Sequence, residues 1–351
     1  MLAIPEQEAI QQIADLLGDW LRAFKDDVGV RKDFNQKGID ARIDVGDHKF
    51  IIESKASSNA AQVNSAIQTF KKHEVSFEGY TIPLLAVPFM GDVGRKLCKE
   101  ANISWLDLSG NANIFAPGLR ILIEGRPNRF KSIGRPSNPF APKSSRIARW
   151  LLIHADQLMS QREIVQATDM DEGFTSRIIS RLEKEGLIAK SKEGLIRVLD
   201  PDLLLDSWRE RYSFSKHQII KGHVAARSSD ELLEKVTNLL LKKKVPHAAT
   251  GLGAAWLYTR FSGFRIVTLY LKFRPPDEIL NLLGFREEPR GANVWLVFPK
   301  DGGVFQGSEE VEGLRCVHPV QVYLDLFGHP ERAKEAAVFL RQELLKWNKD
   351  A

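Results

Sequence analysis

Cysteine is scarce in this 351-residue sequence: Cys98 and Cys316 are the only two, and they lie far apart. Two distant thiols cannot make the framework of a disulfide-rich fold. The eight scattered histidines do not supply the clustered ligands of a structural zinc. Free thiols in a reducing cytoplasm are therefore expected. Long apolar runs are missing as well. The longest stretches free of Asp, Glu, Lys and Arg, Ala56 to Phe70 and Val245 to Thr259, are too short or too polar to cross a bilayer, so no membrane partner is expected. Met1 to Glu8 holds no basic region followed by an apolar run, which gives no expectation of a secretory leader. Internal repeats and low-complexity tracts are also absent. With 43% hydrophobic and 27% charged residues the chain can build real cores, and at roughly 150 residues per domain its length predicts two or three.

Acidic residues are missing from one segment in particular. Between Arg126 and Arg149 lie seven basic residues, Arg126, Arg129, Lys131, Arg135, Lys143, Arg146 and Arg149, and no Asp or Glu. The whole chain carries a net charge of only +5, so this segment alone exceeds the surplus. Such a run attracts phosphates, or else serves as a solvated linker. Its first part also contains Pro127, Pro136, Pro139 and Pro142, a composition that breaks helices and central strands. The expected organisation is a multidomain α/β chain: an N-terminal domain over 1–125, a basic, proline-rich linker over 126–143, a middle domain over 144–212 and an α+β domain over 213–351.

In the first domain, Ile10, Ile13, Leu17, Trp20 and Phe24 recur at helical spacing and predict an amphipathic helix over Glu6 to Phe24. Ile39 to Val45 and Lys49 to Ala56 flank the turn pair Gly46-Asp47 and read as a hairpin. A helix over Ala60 to His73, a strand over Thr81 to Phe89, a helix opening near Asp92 and a strand-rich end from Ile103 to Glu124 follow. Antiparallel register about Gly46-Asp47 pairs residues whose numbers sum to about 93, which places Asp40 opposite Glu53. Period two then brings Lys55 to the same face as Glu53. Two carboxylates and an ammonium suit a hard divalent cation and phosphodiester hydrolysis. Asp40 followed by Glu53-Ser54-Lys55, between an amphipathic helix and a second helix, resembles the PD-(D/E)xK nuclease superfamily. That resemblance implies a restriction-endonuclease-like fold, Asp40 and Glu53 as ligands of Mg²⁺ or Mn²⁺, Lys55 as the catalytic lysine, and Glu8 and Gln68 as accessory residues. The sequence departs from the pattern at Ile39, where a proline is usual, and Asp44 competes with Asp40. A hairpin with an ordinary Glu–Lys pair, or a nuclease fold kept as an inactive scaffold, remains open.

In the middle domain, Ser144 to Asp156 reads as a helix, Ser160-Gln161-Arg162-Glu163 as a capping box opening a second, and Asp171 as the cap of a third that Gly186 ends. Ile188 to Lys190 and Leu195 to Val198 read as short strands about a Lys192-Glu193-Gly194 turn. Thr175 to Ile188 resembles the recognition helix and wing entry of bacterial winged-helix repressors. The resemblance implies a winged helix-turn-helix that binds double-stranded DNA without a cofactor. Thr175, Ser176, Arg177, Ser180, Arg181 and Lys184 would lie on the DNA-facing helix, and Lys190, Lys192 and Arg197 on the wing. Arg135, Lys143 and Arg146 of the basic segment would add phosphate contacts. A winged helix used for protein contacts is the alternative.

Beyond a weaker break near Ser213 to Ser229, the last domain shows a helix at Glu231 to Leu241, strands at Phe264 to Phe273 and Asn293 to Pro299, and a helix at Pro330 to Trp347. Thr250-Gly251-Leu252-Gly253-Ala254-Ala255-Trp256 and Cys316 to Leu326 resemble the C-terminal part of the AbiEi family, winged-helix regulators that act as antitoxins in type IV toxin–antitoxin systems. The Trp105 to Asn111 segment agrees with a regulator of that broad kind. The glycine pair invites a nucleotidyltransferase reading, but Ile266 to Lys272 carries no carboxylate for metal. His318 and His329 have no partner at metal or nucleophile spacing and read as structural. Three functions stand: a DNA-binding regulator, a metal-dependent nuclease targeted by a winged helix, and an antitoxin acting through a cognate toxin or its operator. A homodimer on inverted half-sites would suit the first.

Overall fold

Residues Ile10, Ile13 and Leu17 do line the buried side of a helix, α1 (Glu6–Leu21). The computed structural model describes residues 5–31, 39–73, 81–130 and 138–347. It divides into two compact units, Met1–Ser137 with Lys184–Gly186, and Asn138–Glu183 with Leu187–Ala351. No helix among the described residues is long and apolar enough to cross a membrane.

In the first unit α1 is followed by β1 (Val28–Arg31), β2 (Ala41–Val45), β3 (His48–Ser54), α2 (Ala60–His73), β4 (Ile82–Val87), α3 (Asp92–Glu100), β5 (Ser104–Asp107), β6 (Ala112–Ala116) and β7 (Leu119–Ile123). The strands form one sheet in sequence order. Its centre, β3-β4-β5, is parallel. Parallel neighbours need crossovers, and α2 and α3 supply them. Alternation along β3 sorts the core: Phe50 and Ile52 pack with α1, while Ile51 packs with Val63 and Phe70 of α2. The β2–β3 hairpin pairs Ala41 with Ile52 and Val45 with His48, the register expected from the Gly46-Asp47 turn. Strand β1 is a segment that periodicity did not single out.

The Trp105 to Asn111 segment runs from β5 into the turn that leads to β6, and its polar residues hold that turn. Buried Asp107 accepts hydrogen bonds from the Met90 and Asn111 backbone amides and from Asn111 Nδ2. Asn111 then pairs with both backbone groups of Arg126, through Nδ2 at 3.1 Å and Oδ1 at 2.8 Å. Arg129 donates to the Leu108 carbonyl. The start of the basic segment is therefore fastened to the first unit.

The second unit runs α4 (Ser145–Ile153), α5 (Gln161–Thr168), α6 (Glu172–Lys184), β8 (Ile188–Lys190), β9 (Ile196–Val198), α7 (Pro201–Arg211), β10 (Gln218–His223), α8 (Ser229–Lys242), β11 (His247–Thr250), α9 (Gly251–Thr259), β12 (Val267–Leu271), α10 (Asp277–Leu283), β13 (Arg286–Glu287), β14 (Val294–Phe298), β15 (Glu309–Val311), β16 (Leu314–Cys316), α11 (Pro319–Leu326) and α12 (Ala333–Leu344). Ser160 and Glu163 form the reciprocal capping box of α5, and Asp171 accepts from the Phe174 amide at the head of α6. Strands β8 and β9 pair as a hairpin, and Met159 adds a bridge to Ile196. A second, mixed sheet has the order β13-β10-β14-β12-β11-β16-β15. Gly251 opens α9 at φ +62, and a Cβ there would meet the His329 ring at 2.8 Å, so tight packing explains this glycine.

The three helices and hairpin share their core with the elements after them. Helix α4 packs on α7 and α11. Phe140 is buried and stacks on Trp208 of α7 with ring centroids 6.2 Å apart. The Arg149 guanidinium lies over the same indole at 5.0 Å. Wholly buried Trp208 thus joins three segments. Trp208→Ala should lower the stability of the second unit by about 3–5 kcal/mol, while Leu122→Ala, on a half-exposed side chain in the first unit, should stay within about 0.5 kcal/mol; urea unfolding followed by near-UV dichroism measures both.

Candidate functional site

Helix α6 buries Ile178, Ile179 and Leu182, and period 3.6 then turns Arg177, Ser180 and Lys184 outward. Ser176 and Arg181 are half-buried at the edge of that face. Thr175 departs from the expectation. It sits one position too far round the helix, is wholly buried, and its hydroxyl has no partner among the described residues. Lys190, Lys192 and Arg197 are exposed on the hairpin, with Lys190 Nζ 3.8 Å from Glu183 of α6. Lys143 is exposed and shares the Phe174 ring with Arg177, at 5.8 and 5.7 Å. That ring brings one cation of the acid-free segment beside α6.

The two cations at the end of that segment, Arg146 and Arg149, turn inward. Arg146 is clamped by Asp301 through two hydrogen bonds of 2.7 and 2.9 Å and also donates to the Thr168 carbonyl. The Asp301 hydrogen bond raises its basicity further. A bidentate carboxylate holds an arginine strongly, so Arg146 is committed to the fold and not to a phosphate. Arg149 is buried outright. Arg135 lies outside the described residues.

In the first unit, β2 and β3 bring the expected carboxylates together. The Asp40 amide donates to the Ile52 carbonyl, and Asp40 Oδ2 accepts from the Ser54 amide at 2.6 Å. Glu53 is buried, and its Oε1 pairs with Lys55 Nζ at 2.5 Å. Burial raises the Glu53 carboxyl above the usual range, against the Lys55 hydrogen bond and charge that lower it, and Asp40 adds repulsion. Glu53 Oε2 is buried with no hydrogen-bond partner among the described residues. Glu8 and Gln68 are exposed on their helices, and Glu8 bonds Gln12. The α2 side chain that reaches Glu53 is Thr69, one position after Gln68. Among the described residues no group of three or more His, Cys, Asp or Glu could hold a metal. Asp40 and the orphaned Glu53 oxygen fit a hard cation that takes its remaining oxygens from water or substrate.

A third cluster lay beyond reach of motif and spacing. Asp325, wholly buried on α11, accepts from Tyr212 at 2.5 Å, Thr250 at 2.5 Å, Gln321 at 2.8 Å and Tyr270 at 3.0 Å. Gln321 Oε1 in turn accepts from Arg149 Nη2 at 2.6 Å. Burial lowers the Arg149 guanidinium to about 10, and its Nε and Nη1 have no hydrogen-bond partner among the described residues. His217 contacts Tyr212, and burial brings it down to about 4. His318 caps α11 through the Val320 amide, and His329 packs against Trp295 and Phe214, so both are structural. The available sequence signal was one Asp and one Gln, four apart, inside an otherwise apolar helix.

Residues 142–201, the three helices and hairpin, match the model of a family described as a domain of unknown function (DUF7343). Residues 197–346 match the model of a family described as "Transcriptional regulator, AbiEi antitoxin, Type IV TA system". No curated protein matches the chain, and no solved structure does.

Burial raises the Asp325 carboxyl from 3.8 to about 6, against the hydrogen bonds from Thr250, Tyr212, Gln321 and Tyr270 that lower it. The folded state thus binds this proton more tightly than the unfolded chain does. Its contribution to stability is fully present below about pH 4 and is lost as pH rises to about 6, by roughly 3 kcal/mol. Asp325→Asn should remove that slope: urea unfolding at pH 4 and pH 7 should show a stability loss smaller in the variant than in the parent by about this amount.

Proposed function

We propose that the chain is a DNA-binding transcriptional regulator of antitoxin type. The observation that carries the reading is the outward face of α6, with Arg177, Ser180 and Lys184 beside Lys190, Lys192 and Arg197 of the hairpin and Lys143 over Phe174. The AbiEi match over 197–346 supports a regulator in a toxin–antitoxin system. In this reading the three helices and hairpin act as a winged helix-turn-helix. Helix α6 enters the major groove of an operator, Arg177 and Arg181 reach base edges, and Ser176 and Ser180 contact bases or phosphates. Lys143 and the hairpin cations neutralise backbone phosphates, with Arg135 as a further contact. Binding needs no cofactor, a homodimer reads inverted half-sites, and the cognate toxin is the partner whose effect or expression the chain controls.

The two kinds of contact separate experimentally. Arg177→Ala should cost about 1–3 kcal/mol on the operator and relax base preference at one position, whereas Arg197→Ala should weaken all duplexes alike and reduce the salt slope by about one. Fluorescence anisotropy across a salt series measures both, and unchanged affinity in both variants would sink this interface.

A second reading has its own observation, the buried Glu53 oxygen that has no hydrogen-bond partner among the described residues, across the hairpin from Asp40. Here the first unit has a restriction-endonuclease-like fold of the PD-(D/E)xK kind. Asp40 and Glu53 would hold Mg²⁺ or Mn²⁺, which would supply positive charge to the phosphodiester, and Lys55 would stabilise the charge that develops during hydrolysis. Supercoiled plasmid should then be nicked with either metal, and nicking should vanish with EDTA or in Glu53→Ala while DNA binding persists. Plasmid that is shifted and never cut leaves the regulator alone.

A further inference from the structure

In the second unit a cleft of about 570 Å³ opens between the helices α4 and α5 and one end of the mixed sheet. Strands β12, β11 and β16 are neighbours there, and Lys272, His247 and Arg315, on or just past them, all line the cleft. Lys272 and Arg315 are exposed, and neither has an ion-pair partner among the described residues. Asp169, which caps α5 at φ 51, is a lining carboxylate, and Asp301 already holds Arg146. Behind Gly303 lies a further cation. Arg149 Nη1 sits 3.0 Å from where a Cβ on Gly303 would be, buried and without a hydrogen-bond partner among the described residues. Asp301 balances Arg146 and Asp169 offsets one of the two exposed, unpaired cations, so the lining keeps a net positive charge, with Arg149, which lacks full hydrogen bonding among the described residues, behind it. Phe305 and Pro246 supply apolar surface beside it.

The geometry points to a binding site for a small organic anion of mononucleotide size, with its charged group between Lys272 and Arg315 and its apolar or aromatic body along Pro246 and Phe305. The volume lies within the range of small-molecule sites, which pair apolar walls with a few placed charges. His247 donates no charge. Its Nδ1 lies 2.8 Å from the Val245 carbonyl, and burial depresses the ring below its ordinary value, which leaves Nε2 as an acceptor for a ligand N–H or O–H. No lining residue belongs to α6 or to the Asp40–Glu53 pair, so the site does not rest on either functional reading.

The full chain, without DNA, is titrated with 1-anilinonaphthalene-8-sulfonate, a fused-ring body carrying one sulfonate, and with its uncharged parent 1-anilinonaphthalene. Saturable binding of the sulfonate is expected. It should weaken at least tenfold in the doubly reversed Lys272→Glu, Arg315→Glu variant, which alters exposed side chains only, while binding of the uncharged parent compound changes less than twofold. Gly302→Trp fills the mouth of the cleft from a position where a Cβ meets nothing within 4 Å, and it should abolish sulfonate binding. Adenosine monophosphate should displace the probe, and inorganic phosphate at the same concentration should not. Equal sulfonate affinity in the parent and both variants overturns the site, and displacement by phosphate alone overturns the role given to the apolar wall.

Discussion

The second unit is organised around one buried carboxylate. Asp325 cannot face water, so its cost is offset only by the donors that converge on it, and those come from separated parts of the chain: Tyr212 after α7, Thr250 at the end of β11, Tyr270 on β12 and Gln321 one turn earlier on α11. Gln321 passes the connection to Arg149 on α4. Such a network adds little net stability over an apolar core but makes wrong arrangements expensive, because each displaced member leaves a buried polar group unsatisfied. The orientation of α4, and through it of α5 and α6, follows from a group far along the sequence. Arg341 reinforces the same docking by holding Asp202 and Asp206 of α7 from α12.

The local structure of both units was legible where a residue's neighbours in sequence decide its conformation. The Gly46-Asp47 turn fixed the register of β2 and β3, the Ser160 capping box began α5, and Asp171 began α6, because each is a short-range hydrogen-bonding arrangement. The orientation of side chains around α6 was legible except at Thr175, whose hydroxyl suggested a polar face although helical phase puts it with Ile178 and Ile179. Gln68 and Thr69 show the same limit on α2, since a single position of phase decides which one meets Glu53. Long-range pairs left no local trace. Asp301 with Arg146, and Gln321 with Arg149, are separated by 155 and 172 positions, and neither spacing nor charge count identifies such partners.

Charge counting along the acid-free segment illustrates why composition and surface differ. Arg126 and Arg129 belong to a segment tied down by Asn111 and Ser109, Arg146 is neutralised by Asp301, and Arg149 is interior. Lys143 is the described cation of that run found beside α6. The basic surplus near the candidate DNA interface is therefore carried largely by α6 and the hairpin, where Glu172, Glu183 and Glu193 are also exposed. Such mixed charge favours specific contact over indiscriminate attraction to nucleic acid.

The Phe140–Trp208 stack bears on how sequences of this kind can recombine. A crossover between two relatives that fell near Tyr212 would pair one parent's Arg149 and Trp208 with the other parent's Gln321 and Asp325, and the buried hydrogen bonds would have to match by chance. A crossover ahead of Asn138 would carry every member of the network across together. Residues from Asn138 onward keep their buried partners when they travel together, whereas the three helices moved without the sheet would part Arg149 from Gln321.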